Sequence, residues 1–291
     1  MTQSGEILLR AGPCAAGVAP AFGAATTFLT VDDAPILRAG SLDDIRNDPR
    51  NAACFPCAPY FGRIAGALEF AGSKYPMATT LAAADPAHAL HGEGWISPWS
   101  VEALSENALT LALEHMPGAD GAFPFAYAAR QTVSLSPSGA TFSLSLKNTG
   151  DRAMPAGLGL HPYFHRTRET RASFTGRHFW TPPGPGAPGR FSPPPDALGG
   201  GAPTPLPSET RDHSYAGFAG EAIVSDAYGA VRLTSAAPIL HLFAPAGEDY
   251  FCLEPVSHAP GALVDPENRY GGRRLGPGET MSIALAVSRQ Q

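Results

Sequence analysis

Apolar residues recur at every second position along much of this chain, and that period restricts the fold more than any other feature. Leu109, Leu111 and Leu113 alternate with Thr110, Ala112 and Glu114; Phe142, Leu144 and Leu146 alternate with Ser143, Ser145 and Lys147. Met281, Ile283, Leu285 and Val287 alternate with Ser282, Ala284, Ala286 and Ser288. A period of two places one face of each strand on a core and the other toward water, as in antiparallel sheets. Glycine (32) and proline (30) together exceed a fifth of the 291 residues, which supplies turns and disfavours long helices. Ser136-Pro137-Ser138-Gly139 reads as the turn of a hairpin over 130–147, and Gly276-Pro277-Gly278 as a turn before the last strand. Further strands are expected near 6–10, 26–31, 60–70, 123–135, 158–164, 221–234 and 239–254. The only helix signal is short: Ser41 as N-cap, Asp43 and Asp44 in the first turn, then Ile45 and Arg46. The expected class is all-β, with many antiparallel strands and long loops.

An apolar share of 44% supports a substantial core, in one large β domain or two average ones. Residues 181–211 hold 10 prolines and 6 glycines, but strands of the same character continue on both sides. We read one domain over 1–291, with 181–211 as a surface loop bordering the active site. Charged residues are 16%, the net charge is −6, and the basic residues are scattered, which disfavours nucleic acid or an anionic membrane as partner. No 18-residue apolar run predicts a membrane helix, and Glu6 and Arg10 interrupt any signal peptide. A cytoplasmic protein is expected. The four cysteines give no disulfide framework. Cys54 and Cys57 form a C-x-x-C, but no second pair completes a zinc site and no helix pattern follows, so they read as small residues packed beside Pro56.

Two segments each place one ionisable group inside a run that otherwise reads as a buried strand: His161 in Gly157–Phe164 and Glu254 in Asp249–Pro260. Such burial is costly unless the group is paired or used. A carboxylate base and an imidazole acid suit a reaction that moves only protons. In a strand, Gly157, Gly159, His161 and Tyr163 share a face, and the two glycines would let a ligand approach the backbone. Tyr250, Cys252 and Glu254 share a face in the same way. The bland alternatives are a hydrogen-bonded core histidine and a buried salt bridge for Glu254. In 88–99, His91 precedes Gly92 and Gly94, a flexible loop, and Trp95 and Trp99 either stack on a sugar ring or simply pack. His88 and His91 are three apart in a loop bounded by proline and glycine, not four apart on a helix, so no metal is expected. No G-x-S-x-G elbow marks a serine hydrolase.

Taken in order, Gly62-Arg63-Ile64-Ala65-Gly66, Leu90-His91-Gly92, Trp95 to Trp99, His161-Pro162-Tyr163-Phe164, Asp212-His213, Glu254-Pro255 and Pro277-Gly278-Glu279 resemble the bacterial aldose 1-epimerases of the galactose mutarotase family. The likeness runs from about residue 20 to the C-terminus. It implies a large antiparallel β-supersandwich and a monosaccharide substrate, with no cofactor, in a monomer or homodimer. It implies Glu254 as general base, His161 as general acid, and His91 as a hydrogen-bonding partner of the ring oxygen or adjacent hydroxyl. Arg63 and Asp212 would bind sugar hydroxyls, with Trp95 and Tyr163 beside the ring. The implied chemistry opens the C1–O5 bond, rotates about C1–C2 and recloses, with Glu254 ionised and His161 charged and each favouring the other's charge. The chain departs from the family at Gly62, where asparagine is common before the arginine; a looser Arg63 or a changed sugar preference is the expected effect. Two rivals stand beside this reading. A hexose-6-phosphate epimerase would need cations at the rim, for which Arg166 and Arg168 are available. A noncatalytic sugar-binding module would not need the acid–base pair.

Overall fold

The computed structural model describes residues 5–118, 120–182, 189–265 and 269–290. The segments with strict alternation become the long strands Ala108–His115, Tyr127–Ser136, Gly139–Asn148 and Thr280–Arg289, and burial alternates along them except at strand ends. They form the centre of a nine-stranded sheet whose paired neighbours are antiparallel. The expected hairpin closes with Ser136 opposite Gly139. The short helix is Leu42–Asn47, and the Ser41 hydroxyl accepts from the Asp44 amide as an N-cap should.

A second, eleven-stranded sheet holds the site. Its middle runs Ala25–Val31, Cys54–Cys57, Gly159–His165, Tyr250–Val256, Ile239–Ala244, Arg211–Ala216 and His178–Thr181. Leu160, Phe164, Phe251 and Leu253 from this sheet share one buried cluster with Leu111, Phe142, Leu144 and Leu285 from the nine-stranded sheet. The main core therefore lies between the sheets, each large side chain contributing about 1.5–3 kcal/mol of transfer free energy. The period of two sends the intervening residues the other way. Phe55, Cys57, Tyr163, Cys252 and Val256 form a separate cluster, covered by loop residues such as Phe61, Trp95 and Ala259. The all-β supersandwich expected from the sequence is the observed class, and the site lies on this second, loop-covered face.

Several strand boundaries differ from expectation. The run 239–254 is two strands, Ile239–Ala244 and Tyr250–Val256, broken at Pro245 and Gly247. The run 221–234 is a hairpin of Glu221–Asp226 and Gly229–Thr234, because Gly229 adopts φ 114 at the turn. The loop expected over 181–211 contains strands Arg190–Ser192 and Thr204–Pro205, each added to a sheet edge. Residues 183–188 of that loop lie outside the described residues. No helix among the described residues is long and apolar enough to cross a membrane.

Candidate functional site

Register places the chemistry in a row across five adjacent strands. His161 stands opposite Phe55, Glu254 opposite His241, and His241 opposite Ser214. Above this row is a cavity of about 210 Å³, lined among others by Arg63, His91, His161, Asp212, His241 and Glu254. The structure thus brings together all five polar residues expected from the sequence. The volume is below the usual span for drug-sized ligands, and suits something small.

Glu254 is 1% exposed, and neither carboxyl oxygen has a hydrogen-bond partner among the described residues. His161 Nε2 is 3.4 Å from Glu254 Oε2, and His161 Nδ1 is buried without a partner. The His161 ring is clamped between Phe55 (4.4 Å between centroids) and Tyr163 (4.8 Å), both within 26° of parallel. Arg38 lies over the Tyr163 ring at 4.3 Å, so the clamp is itself braced. Burial, reinforced by the Asp212 charge, pushes the Glu254 carboxyl well above its ordinary range. Burial, then the neighbouring histidines, pushes the His161 imidazole well below its ordinary value. Both directions run against the charged pair expected from the sequence, because desolvation disfavours the charged form of each group.

His91 is held in the left-handed region at φ 57. Its Nδ1 accepts from the Gly62 amide (3.1 Å), while its own amide donates to the Gly62 carbonyl (2.8 Å). Burial, then the Arg63 and His241 charges, lowers its value to about 3, so the ring is neutral. With Nδ1 accepting, the proton sits on Nε2, leaving a donor. Gly62 has φ 81, and a Cβ there would approach Pro260 at 3.2 Å. The departure at Gly62 does not loosen Arg63, whose Nε donates to Asp85 Oδ2 (2.8 Å) and whose NH1 lies 3.5 Å from Asp212 Oδ2. Burial raises Asp85, but the Ala87 amide, Arg63 and His88 outweigh it and hold the carboxyl at about 2. Burial likewise raises Asp212, and the His241 bond and charge together with Arg63 bring it well below the usual carboxylate range.

Other expectations fare differently. Trp95 lines the cavity but has 0% relative exposure, stacking on Phe55 at 5.1 Å and donating to the Leu90 carbonyl. Trp99 belongs to the main core. Tyr163 does border the cavity, as the clamp on His161. The space over Gly157 and Gly159 is filled by protein: a Cβ on Gly157 would lie 2.2 Å from the His258 ring, and one on Gly159 3.1 Å from Phe61. Gly92 and Gly94 permit close packing on Ala58 rather than flexibility. Cys54 and Cys57 are buried and free within a strand. His88 pairs with Asp85 and does not line the cavity. Arg166 donates to the Pro245 and Pro207 carbonyls, and neither it nor Arg168 lines the cavity.

Asp85, Ser214 and His241 are absent from the sequence-based expectation. His241 carried a readable signal, since it is the only ionisable group in the apolar run Ile239–Ala244. Asp85 and Ser214 carried none, because their partners lie 22 and 27 positions away in sequence.

The aldose 1-epimerase family model matches residues 8–288. The chain is 31% identical over 271 residues to YphB, an uncharacterised protein of Escherichia coli (strain K12), covering 88% of this chain and 89% of that one. The crystal structure of an Escherichia coli K12 protein proposed to be an aldose 1-epimerase aligns with a TM-score of 0.85 at 28% identity, over 98% of both chains. A galactose mutarotase-like protein from Clostridium acetobutylicum has the same fold, with a TM-score of 0.82 at 18% identity over 98% of this chain and 95% of its own.

Proposed function

The chain belongs to the aldose 1-epimerase family, and we propose that it interconverts the α and β anomers of a free aldose by opening and reclosing the ring. The supporting observation is the Glu254–His161 pair: 3.4 Å apart, buried, and with polar atoms that no group among the described residues satisfies. A group that costs free energy to bury and bonds to nothing is explained by a ligand that completes it. Sugar hydroxyls donating to Glu254 Oε1 and Oε2 stabilise the carboxylate, so the pair's proton passes to His161. Glu254 then takes the proton from the anomeric hydroxyl as His161 gives one to the ring oxygen. The C1–O5 bond breaks and the C1 carbonyl forms. His91, neutral and donating through Nε2, supports the oxygen that gains electron density. Rotation about C1–C2 exposes the other carbonyl face, and the reverse transfers close the opposite anomer. Arg63 and Asp212, each held by a second ionic partner, fix the remaining hydroxyls.

The phosphate rival finds no support at Arg166 and Arg168, which do not line the cavity, and Arg50 in the wall is engaged by Asp48 at 2.6 Å. A binding module has no use for an unsatisfied acid–base pair. One further reading has its own observation: ligand atoms of His161, Cys252 and Glu254 lie within 4.8 Å of one another, a set able to hold a divalent cation. Polarimetry of freshly dissolved α-anomers decides among them. Free aldoses should equilibrate faster with protein than in buffer, and chelator should leave that rate unchanged. Acceleration of sugar phosphates alone would establish the rival substrate. Loss on chelation with recovery on added zinc would establish the metal, and no acceleration of either class would leave a binding module.

A further inference from the structure

Beside Glu254 the pocket wall carries a hydrogen-bonded row that the proton transfers do not use. Asp212 and Ser214 lie two residues apart on Arg211–Ala216 and so share a face, and His241 stands opposite Ser214 on the next strand. His241 Nε2 is 2.9 Å from Asp212 Oδ1, and Nδ1 is 2.8 Å from Ser214 Oγ. An ionised carboxylate only accepts, so Nε2 carries a proton. The Ser214 hydroxyl donates to a neutral ring or accepts from a charged one, so Nδ1 is satisfied in either state. These are the residue types of a hydrolase triad, but Ser214 has no exposed surface and its hydroxyl is held in the row. The row instead ends at a carboxylate in the cavity wall. Of that carboxylate, Oδ1 belongs to His241, while among the described residues Oδ2 has only Arg63 NH1, at 3.5 Å. Arg63 is in turn tied to Asp85.

We propose that His241, seated by Ser214, is a positioning residue that engages one oxygen of Asp212 and aims the other at the substrate's hydroxyls. The inference rests on reading the cavity as a sugar site. Its logic is that of a carboxylate fixed through its unused oxygen: the free oxygen is presented in one orientation, and binding requires no reordering. The ionisable groups around the row are Arg63, His91, His161, His213 and Glu254.

The test is calorimetric sugar binding and polarimetric kinetics on substitutions at 241 and 214, using an aldose that the wild-type protein turns over. His241→Leu removes the bond to Asp212. KM and the dissociation constant should rise roughly 10–100-fold, the range for losing a hydrogen bond to a charged group, while kcat falls less than about threefold. His241→Gln places an amide N–H where Nε2 was, and should restore binding to within about threefold of wild type. His241→Asn places its amide at the Nδ1 position, within reach of Ser214 but not Asp212, and should bind as weakly as His241→Leu. Ser214→Ala should weaken binding in the same sense by a smaller factor. Unchanged binding in His241→Leu, or His241→Gln no better than His241→Asn, overturns the role. The Gln–Asn contrast decides even where the leucine variant does not fold. If the wild-type protein binds no aldose, the functional reading falls and this role with it; if it binds and position 241 is indifferent, only this role falls.

Discussion

A carboxyl group at Glu254 and an imidazole at His161 are each disfavoured in their charged forms by burial, yet the proposed reaction needs one charged form of each. The resolution is that both forms of the pair contain a single proton. Moving it across 3.4 Å converts a neutral pair into an ion pair, or back, without any exchange with solvent. Activity should therefore be governed by the proton count of the pair. A second proton would have to enter on His161, whose value lies well below the ordinary 6.5, so kcat/KM should stay level as pH falls through 6.5. An inflection at 6.5 would show an imidazole titrating freely and contradict the buried pair. Substitution separates the roles. Glu254→Gln keeps the size but cannot accept the proton, so turnover should drop roughly 10²–10⁴-fold with sugar binding largely retained. His161→Asn should do the same by removing the donor, whereas Arg63→Ala should act mainly on KM. Rates from polarimetry and binding from calorimetry on each variant check this. A Glu254→Gln protein at near wild-type rate would pass the base to Asp212.

At the scale of elements, the site depends on strands whose two faces do different work. Along Gly159–His165, Leu160 and Phe164 enter the main core while His161 and Tyr163 turn to the cavity, so the core fixes the catalytic ring's backbone. Glycine at 157 serves this by admitting the His258 ring, which donates through Nε2 to the Phe61 carbonyl at 3.1 Å. Since His258 is fully buried and cannot swing aside, Gly157→Ala should overpack the site, lowering stability by about 1–3 kcal/mol. A urea titration should show a reduced midpoint with unchanged slope; an unshifted midpoint would mean the ring yields freely. The hairpin at 136–139 and the final strand were legible because alternation and turn residues point the same way there. Cys54–Cys57 was not, because it is buried at every position and carries Pro56, so it shows neither alternation nor high strand propensity. His161 and Glu254 were legible as single polar residues in apolar runs. The same signal stands at His241, and the glycines at 157 and 159, which in sequence suggest room for a ligand, are packed by other parts of the chain. Sequence locates an oddity in a strand; what fills the space beside it comes from residues scores of positions away.

For the molecule as a whole, a buried acid–base pair that binds nothing in the protein is a cost to folding carried for the sake of chemistry. The sign of that cost is fixed by the direction of each shift. The folded value of Glu254 is raised above the ordinary 4.5, so relative to the unfolded chain its contribution is unimpaired below 4.5 and turns progressively unfavourable as pH rises toward the folded value. Asp85 and Asp212 work the other way: their values are depressed, so the stability they supply is present above 3.8 and is lost as pH falls below it. The two effects separate on the pH scale, which makes a clean experiment possible. Glu254→Gln should melt higher than the wild-type protein at neutral pH, because the amide fills the same space and, unlike a carboxylate ionised in the unfolded chain, takes up no proton on folding. The gain should be a few degrees, at about 2–4 °C for each kcal/mol in a chain approaching this size. At pH 4 the advantage should shrink toward zero, since Glu254 is then largely protonated in both folded and unfolded states. Thermal melts of the two proteins at both pH values test this directly. A variant more stable at neutral pH and inactive there would place Glu254 where chemistry, not folding, requires a carboxylate. A variant less stable at both would mean that the carboxylate holds the fold together, and the absence of protein partners for its oxygens would need another explanation.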